Sequence, residues 1–196
     1  MNDIPSRPNG NVYEATLRPL SLCVTEVTEG IGPSWSQYRV LGATREGLAD
    51  AKEAVGKHPE RYKPVTPGTI FYNPMRILIG SIAMLDQGEE PGITSPDYVV
   101  LRCREGLLHF KFFYYWLRST AGADFIRRLA RGAVRERMLF KRLVTGEMPV
   151  PSWSAQVEFA KQASTIEQIR ASVYDQLALL DEMSISLLKE TLYGRS

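Results

Sequence analysis

Apolar and polar residues alternate along the first half of the chain and recur every three or four residues along the second. From Val12 to Thr28, Leu20, Leu22, Val24 and Val27 are separated mostly by polar residues, the period of a half-buried strand. Gly30, Gly32 and Pro33 end that run, and Tyr38–Leu41 predicts another short strand. From Gly42 to Pro64 the sequence turns polar and charged, with a short helix expected over Leu48–Val55. A connection of that length is a candidate working loop. Thr69–Tyr72 and Ile77–Leu85 are rich in β-branched and aromatic residues and predict strands on either side of Asn73–Arg76. Gln87–Gly92 is a turn, and Ser95–Leu101 a turn leading into a strand. Within Ser95-Pro-Asp-Tyr98 the Ser and Asp satisfy turn amides and the Pro presets φ, which is a structural role.

After Gly106 the period lengthens. Leu107, Phe110, Phe113, Tyr114 and Leu117 form one buried helix face, so the aromatic run Phe112–Trp116 reads as core rather than as a base-stacking platform. Ala121–Leu129 predicts a second helix with Gly132 as its C′ residue. Pro149-Val-Pro151 ends the preceding segment, and Ser152 or Ser154 can cap a helix starting there. From Ala155 to about Leu192 there is neither Pro nor Gly. Ile166, Val173, Leu180 and Leu187 fall seven apart, with Ile169, Leu177 and Met183 between them. A helix of about 38 residues would be roughly 57 Å long. That exceeds what the preceding domain needs, so the helix is expected to project and pair with another. A hairpin of two shorter helices is the alternative, although no turn residue interrupts the run. The fold class predicted is α+β: a mixed-sheet domain over residues 1–150, then a coiled-coil-type helix over 151–196. The first 11 or so residues should be a loose arm.

At 196 residues the chain can bury a real core, and 44% apolar with 23% charged residues is a globular composition. Cys23, Cys103, His58 and His109 have no metal-ligand spacing. A Cys23–Cys103 disulfide is open, but two buried free thiols in a reducing cytoplasm are the expectation. The start of the chain lacks the basic and apolar regions of a signal peptide, and no apolar run approaches the roughly 20 residues of a bilayer span. A cytoplasmic protein with no membrane partner is therefore expected.

Charge changes this picture. The net charge is only +2, yet Arg118–Arg142 holds eight Lys or Arg against Asp124 and Glu136, a local +6 that leaves −4 for the remainder. Such concentration is the footprint of a polyanion-binding surface. A solvated helix face neutralised from elsewhere in the fold is the competing account. Catalysis finds no support: there is no glycine-rich dinucleotide or phosphate loop, and neither histidine accompanies a nucleophile motif. Asn73-Pro-Met-Arg76 is superficially like the Asn-Pro-Pro-aromatic motif of adenine methyltransferases, but the aromatic that would stack a flipped base is missing. The chain is expected to be non-catalytic and without a cofactor.

A specific resemblance emerges from the order of several motifs. Tyr62-Lys-Pro-Val-Thr-Pro-Gly-Thr-Ile-Phe-Tyr-Asn-Pro-Met-Arg76, then Ile79-Gly-Ser-Ile82, then Gly92-Ile-Thr-Ser-Pro-Asp-Tyr-Val-Val-Leu101 resemble a target recognition domain of the specificity (S) subunits of type I restriction–modification enzymes. An aromatic helix running into Leu117-Arg-Ser119, Gly132-Ala-Val-Arg135, Phe140, Leu143, Met148-Pro-Val-Pro151 and Gln156 continue that order from about residue 20 to 192. The family often has Glu-Gln where this chain has Ala155-Gln156, a position more structural than recognitional.

The resemblance implies a globular part that reads double-stranded DNA and a helix that spaces recognition domains and docks adenine-methyltransferase (M) subunits, with a restriction (R) subunit as a further partner in some complexes. One recognition domain with one helix is similar to a half subunit, which restores a bipartite arrangement as a homodimer with antiparallel helices. Ile166, Ile169, Val173, Leu177, Leu180 and Leu187 are the expected dimerisation residues. Arg127, Arg128 and Arg131 are candidate phosphate anchors, which position without reading sequence. Arg135 and Arg137 lie where a loop can approach the duplex, and an Arg can bind guanine O6 and N7 together; Lys141 is a further DNA-binding candidate. Lys63, Asn73 and Arg76 flank the break between two strands and complete the candidates. An S-like interaction protein that associates only through its helix, and an enzyme with an unrecognised site, are the alternatives.

Overall fold

A computed structural model describes residues 14–51, 55–130 and 137–194. The chain divides into two compact units, one through Val157 and one from Glu158. In the first, β1 (Ala15–Pro19) passes through a single helical turn, α1 (Leu20–Cys23), into β2 (Val24–Val27). A 3-10 helix over Gly32–Gln37 precedes β3 (Arg39–Ala43) and β4 (Leu48–Asp50). Next come β5 (Lys63–Val65), β6 (Thr69–Tyr72), β7 (Ile82–Met84), β8 (Gly92–Thr94) and β9 (Val99–Cys103). Helices α2 (Phe110–Arg118), α3 (Thr120–Ala130) and α4 (Phe140–Leu143) follow, then β10 (Glu147–Pro151) and the long α5 (Trp153–Tyr193).

The central sheet has the antiparallel order β2-β9-β6-β7, and a second sheet has the order β4-β3-β8-β5. The second is mixed, because β3 and β8 run parallel. Strands β1 and β10 make a separate antiparallel pair. Side chains alternate across a strand, so a sheet buried on both faces carries two cores. Ile70, Tyr72, Ile82, Met84, Val99 and Leu101 share one core with Phe113 and Leu117 of α2 and Phe125 and Ile126 of α3. The intervening Phe71, Ala83 and Val100 share the other with Leu41, Ala43 and Val65 of the second sheet. Phe71 stands between Ala83 and Val100 in register, so a one-residue slip would send each set to the wrong layer.

The aromatic run Phe112–Trp116 is core, as expected: Phe113 and Tyr114 are buried, with Phe112, Tyr115 and Trp116 packed around them. Helices α2 and α3 meet at a sharp corner. Ser119 Oγ accepts a hydrogen bond from the Gly122 amide at 3.2 Å. A Cβ at Gly122 would lie 2.1 Å from the Trp116 carbonyl oxygen. Only glycine permits that approach. Lys111, 2% exposed, is neutralised by an ion pair with Asp86.

Helix α5 is anchored by Gln156, which is 1% exposed. Its Oε1 accepts from the His109 amide at 2.8 Å, and its Nε2 donates to the Leu107 and Pro151 carbonyls at 3.1 and 3.0 Å. The structural role expected at this position is the one observed. Ser152 Oγ supplies the cap, accepting from the Ala155 amide at 3.3 Å.

Several expected elements differ. The β run expected over Val12–Thr28 is broken by α1, whose Leu20 and Cys23 are fully buried. Of the helix expected over Leu48–Val55, Leu48–Asp50 is instead strand β4, hydrogen-bonded to β3, and residues 52–54 lie outside the described residues. Ile77–Leu85 is strand only over Ile82–Met84: Ile77–Ile79 forms a 3-10 turn ending in Gly80 at φ 87°. Pro149-Val-Pro151 does not merely stop the chain but pairs with β1, where proline is tolerated in a two-stranded ribbon. The expected loose arm and the Gly132 cap lie outside the described residues. Cys23 and Cys103 are free thiols, and burial pushes both up in pKa.

The second unit is the remainder of α5. One continuous helix of 41 residues, about 62 Å at 1.5 Å per residue, replaces the hairpin alternative. Gly194, at φ 75°, succeeds its last residue. Among the described residues no helix is long and apolar enough to cross a membrane.

These packings make two predictions about stability. Gly122→Ala should cost about 3 kcal/mol, the upper end of ordinary overpacking, because the obstructing atoms are backbone; an unchanged melting temperature would contradict the close approach. His109 caps α2 by accepting the Lys111 amide at Nδ1, 3.2 Å away. Burial lowers its pKa, Lys111 lowers it further, and Asp86 opposes both. A histidine depressed in the folded state stabilises above its ordinary value of about 6.5, and that stability is lost as pH falls through the folded value. His109→Asn keeps a capping acceptor without the titration, so its denaturant midpoint should fall less than the wild type's as pH drops below about 6.5.

Candidate nucleic-acid interface

The connection between β6 and β7 is an exposed, closely tied loop near the basic stretch. Asn73, half-buried, opens it by accepting the Met75 amide at Oδ1, 2.9 Å away. The Arg76 amide donates to the Asn73 carbonyl at 3.0 Å, and the Arg76 carbonyl accepts from Ile79 and Ser81, both at 3.1 Å. Three further ties fix the loop to the body. The Met138 amide donates to the Pro74 carbonyl at 3.0 Å. Ser81 Oγ donates to the Ala43 carbonyl at 2.7 Å. Arg118 donates to the Gly80 and Ile82 carbonyls at 3.3 and 2.9 Å and to the Arg45 carbonyl at 2.5 Å.

The predicted site residues separate on this scaffold. Arg76 is exposed with no side-chain partner among the described residues, and Arg137 lies beside the same loop, its Nη2 3.5 Å from Met75 Sδ. On α3, Gly122, Phe125, Ile126 and Ala130 are buried, leaving Arg127 and Arg128 exposed. Arg127 forms an ion pair with Asp124, both at least half accessible, which leaves its field largely available to solvent. Lys141 is exposed on α4, which packs against α3. Helix α3 in turn packs against the Ile77–Ile79 turn. These elements thus bring Arg76, Arg127, Arg128, Arg137 and Lys141 to one region. Arg131 and Arg135 lie outside the described residues.

Lys63 does not join them. Its Nζ donates to the Tyr98 carbonyl at 2.8 Å and lies 3.4 Å from Glu26 Oε1, with the side chain only 12% exposed. It ties β5 to the β8–β9 turn and to β2, and its charge is spent inside the fold. Arg118, counted in the basic cluster, is likewise internal, its guanidinium stacked 5.2 Å from the Tyr114 ring centroid. Three residues outside the predicted site set also belong to the region. Met75 and Ile79 are 64% and 66% exposed on the loop, and the Arg45 stem lies against Gly80. Arg45, Ile79, Gly80, Arg118, Ala123 and Ile126 line a shallow groove of about 180 Å³ beneath it. Among the described residues no group of His, Cys, Asp and Glu could hold a metal ion.

No protein-family model and no curated protein matches the chain. Solved structures do. The HsdS subunit from Thermoanaerobacter tengcongensis is 18% identical at a TM-score of 0.60, over 91% of this chain and 48% of that one. The type I restriction–modification S subunit from M. genitalium is 16% identical at 0.56, over 93% and 47%. A chain from a study of assembly and conformational transition of the type I R-M system is 16% identical at 0.58, over 96% and 50%. This is the fold of a type I specificity subunit. The chain spans about half the length of the solved chains it matches. Both the mixed α+β domain and the long C-terminal helix expected from the sequence are part of that likeness.

Inside this S-subunit fold Lys63 is a cross-brace. Lys63→Met should lower stability by about 1.5–3 kcal/mol, the range for hydrogen bonds to charged groups. A variant as stable as the wild type in urea unfolding would make Lys63 a surface cation after all.

Proposed function

We propose that the chain is a DNA-reading half of a type I specificity subunit, non-catalytic itself, that directs an adenine methyltransferase to a bipartite site. The observation that supports this reading is the conjunction of an S-subunit fold with exposed arginines on and beside a hydrogen-bonded loop, Arg76 and Arg137, and on the neighbouring α3, Arg127 and Arg128. Arg127 and Arg128 on α3, with Arg131 just beyond it in sequence, act as phosphate anchors, and Arg76 and Arg137 approach the base edges. Lys141 and Arg135 extend the same positive field. Asn73 holds the loop rather than reading bases, since its side-chain oxygen is engaged by the Met75 amide. A restriction subunit joins where the system has one.

The helix supplies the second half of the proposal. Ile166, Ile169, Val173, Leu177, Leu180 and Leu187 are each 47–63% exposed. Apolar side chains at heptad-like spacing favour burial against a second helix, which accounts for their presence on one continuous, Gly- and Pro-free element. In a homodimer with antiparallel helices the two recognition domains are related by a two-fold axis, and the DNA site is a palindrome with a gap.

Two experiments test these halves separately. Replacing Arg127, Arg128 and Arg131 by Ala should weaken binding to all duplexes and flatten the dependence of log K on log salt, by about 0.9 for each phosphate the variant no longer neutralises. An unchanged slope would remove these anchors. Leu180→Glu with Leu187→Glu should split the dimer while the recognition domain still melts cooperatively. Sedimentation of that variant as an intact dimer would contradict the pairing surface.

A further inference from the structure

The loop between β6 and β7 combines two properties that phosphate binding does not require. It is held rigidly, and it exposes large apolar side chains. Met75 and Ile79 are 64% and 66% accessible, and Leu139, next to the Met138 amide that ties the loop down, is 53% accessible. A flexible loop could fold such residues inward, but this one is fixed by the hydrogen bonds of Asn73, Pro74, Gly80 and Ser81. Apolar side chains held in water at fixed positions favour a ligand with an apolar group at a matching place.

The neighbours of Met75 specify that ligand. Arg137 Nη2 lies 3.5 Å from Met75 Sδ, and Arg76 is the next residue in the loop. The thioether therefore lies against the Arg137 guanidinium, with the exposed Arg76 next to it in the chain, and neither arginine has another side-chain partner among the described residues. In the major groove, thymine presents a 5-methyl group beside its O4 acceptor, and a neighbouring guanine presents O6 and N7. An apolar contact beside an arginine, with a second exposed arginine next in the chain, complements that mixed edge. Phosphate oxygens alone would leave Met75 and Ile79 without use, and a purely apolar protein surface would leave the arginines desolvated and unpaired.

We infer that Met75, on the pinned Asn73–Gly80 loop, is a specificity-determining residue that packs against the 5-methyl group of a thymine, while Arg137 and Arg76 bind acceptors on the same or adjacent base pair. This rests on the DNA-reading proposal above and deepens it. Ile79 extends the apolar contact along the groove.

The test uses the full chain with its methyltransferase and a duplex enriched from random sequence. Each thymine is replaced in turn by deoxyuridine, which removes the methyl group and nothing else. Wild type should bind about fourfold more weakly when the contacted thymine of either half-site loses its methyl, the effect of leaving one such group unburied. Met75→Ala should bind the thymine and uracil duplexes equally, and Met75→Leu should restore the preference. Because Met75 is exposed, these variants should melt as the wild type does and keep its salt slope. Indifference of the wild type to every thymine replacement, or a site containing no thymine, would overturn the assignment while leaving DNA reading intact. Retention of the full preference by Met75→Ala would do the same, as would a Met75→Ala defect confined to methyltransferase association. A protein that enriches no sequence would overturn the DNA-reading proposal and this inference together.

Discussion

The two-sided burial of the central sheet is the constraint on which the rest depends. Strands β6, β7 and β9 send alternate side chains to a helical core and to a second sheet, with Phe71, Ala83 and Val100 aligned across three strands. Because the side-chain period is two, this register cannot slip without exchanging both cores. The connection between β6 and β7 inherits that rigidity at both ends. Where a surface loop would ordinarily be the most mobile part of a domain, this one is built into the framework.

Arg118, half-buried, shows how one internal charge completes the effect. It ends α2, stacks on Tyr114 and bonds carbonyls of Arg45, Gly80 and Ile82, so that one guanidinium joins the helical layer, the central sheet and the β3–β4 turn. A charge satisfied by several carbonyls is strongly directional, and removing it would leave those acceptors short of donors. Gln156 performs the corresponding task for the long helix, converting the end of β10 and the start of α2 into a socket for its first turn. Preorganisation of this kind limits what must be ordered when a partner binds, which is where affinity is otherwise lost.

What is legible in the sequence depends on how local each signal is. The long helix is legible because nothing between Ala155 and Leu192 breaks it, and α2 because its aromatic residues recur at helical spacing. The apolar run Ile77–Leu85 reads as one strand in sequence, since only Gly80 at positive φ and the double acceptance by the Arg76 carbonyl turn it back. Long-range partners are invisible at that level. Lys63 is neutralised by residues 35 and 37 positions away, so an apparently free cation proves internal. Arg118 leaves the basic cluster for the same reason. Met75 and Ile79 stand inside the motifs of the resemblance yet carry no signal of contact with a ligand, because an apolar residue in a strand-rich segment reads as core until its exposure is known. The resemblance to S subunits rests on the order of the motifs and implies the fold, and the fold is what the solved structures share with this chain at 16–18% identity.

On the reading proposed above, the loop carrying Arg76 reads DNA and the long helix pairs two such loops at a fixed spacing. Selection from random duplex DNA by the full chain with the proposed methyltransferase partner tests both parts in one measurement. The account predicts a palindrome of identical half-sites separated by a gap of fixed length. Enrichment of no sequence, with the chain folded and bound to the methyltransferase, would contradict it and leave an interaction protein that works through its helix.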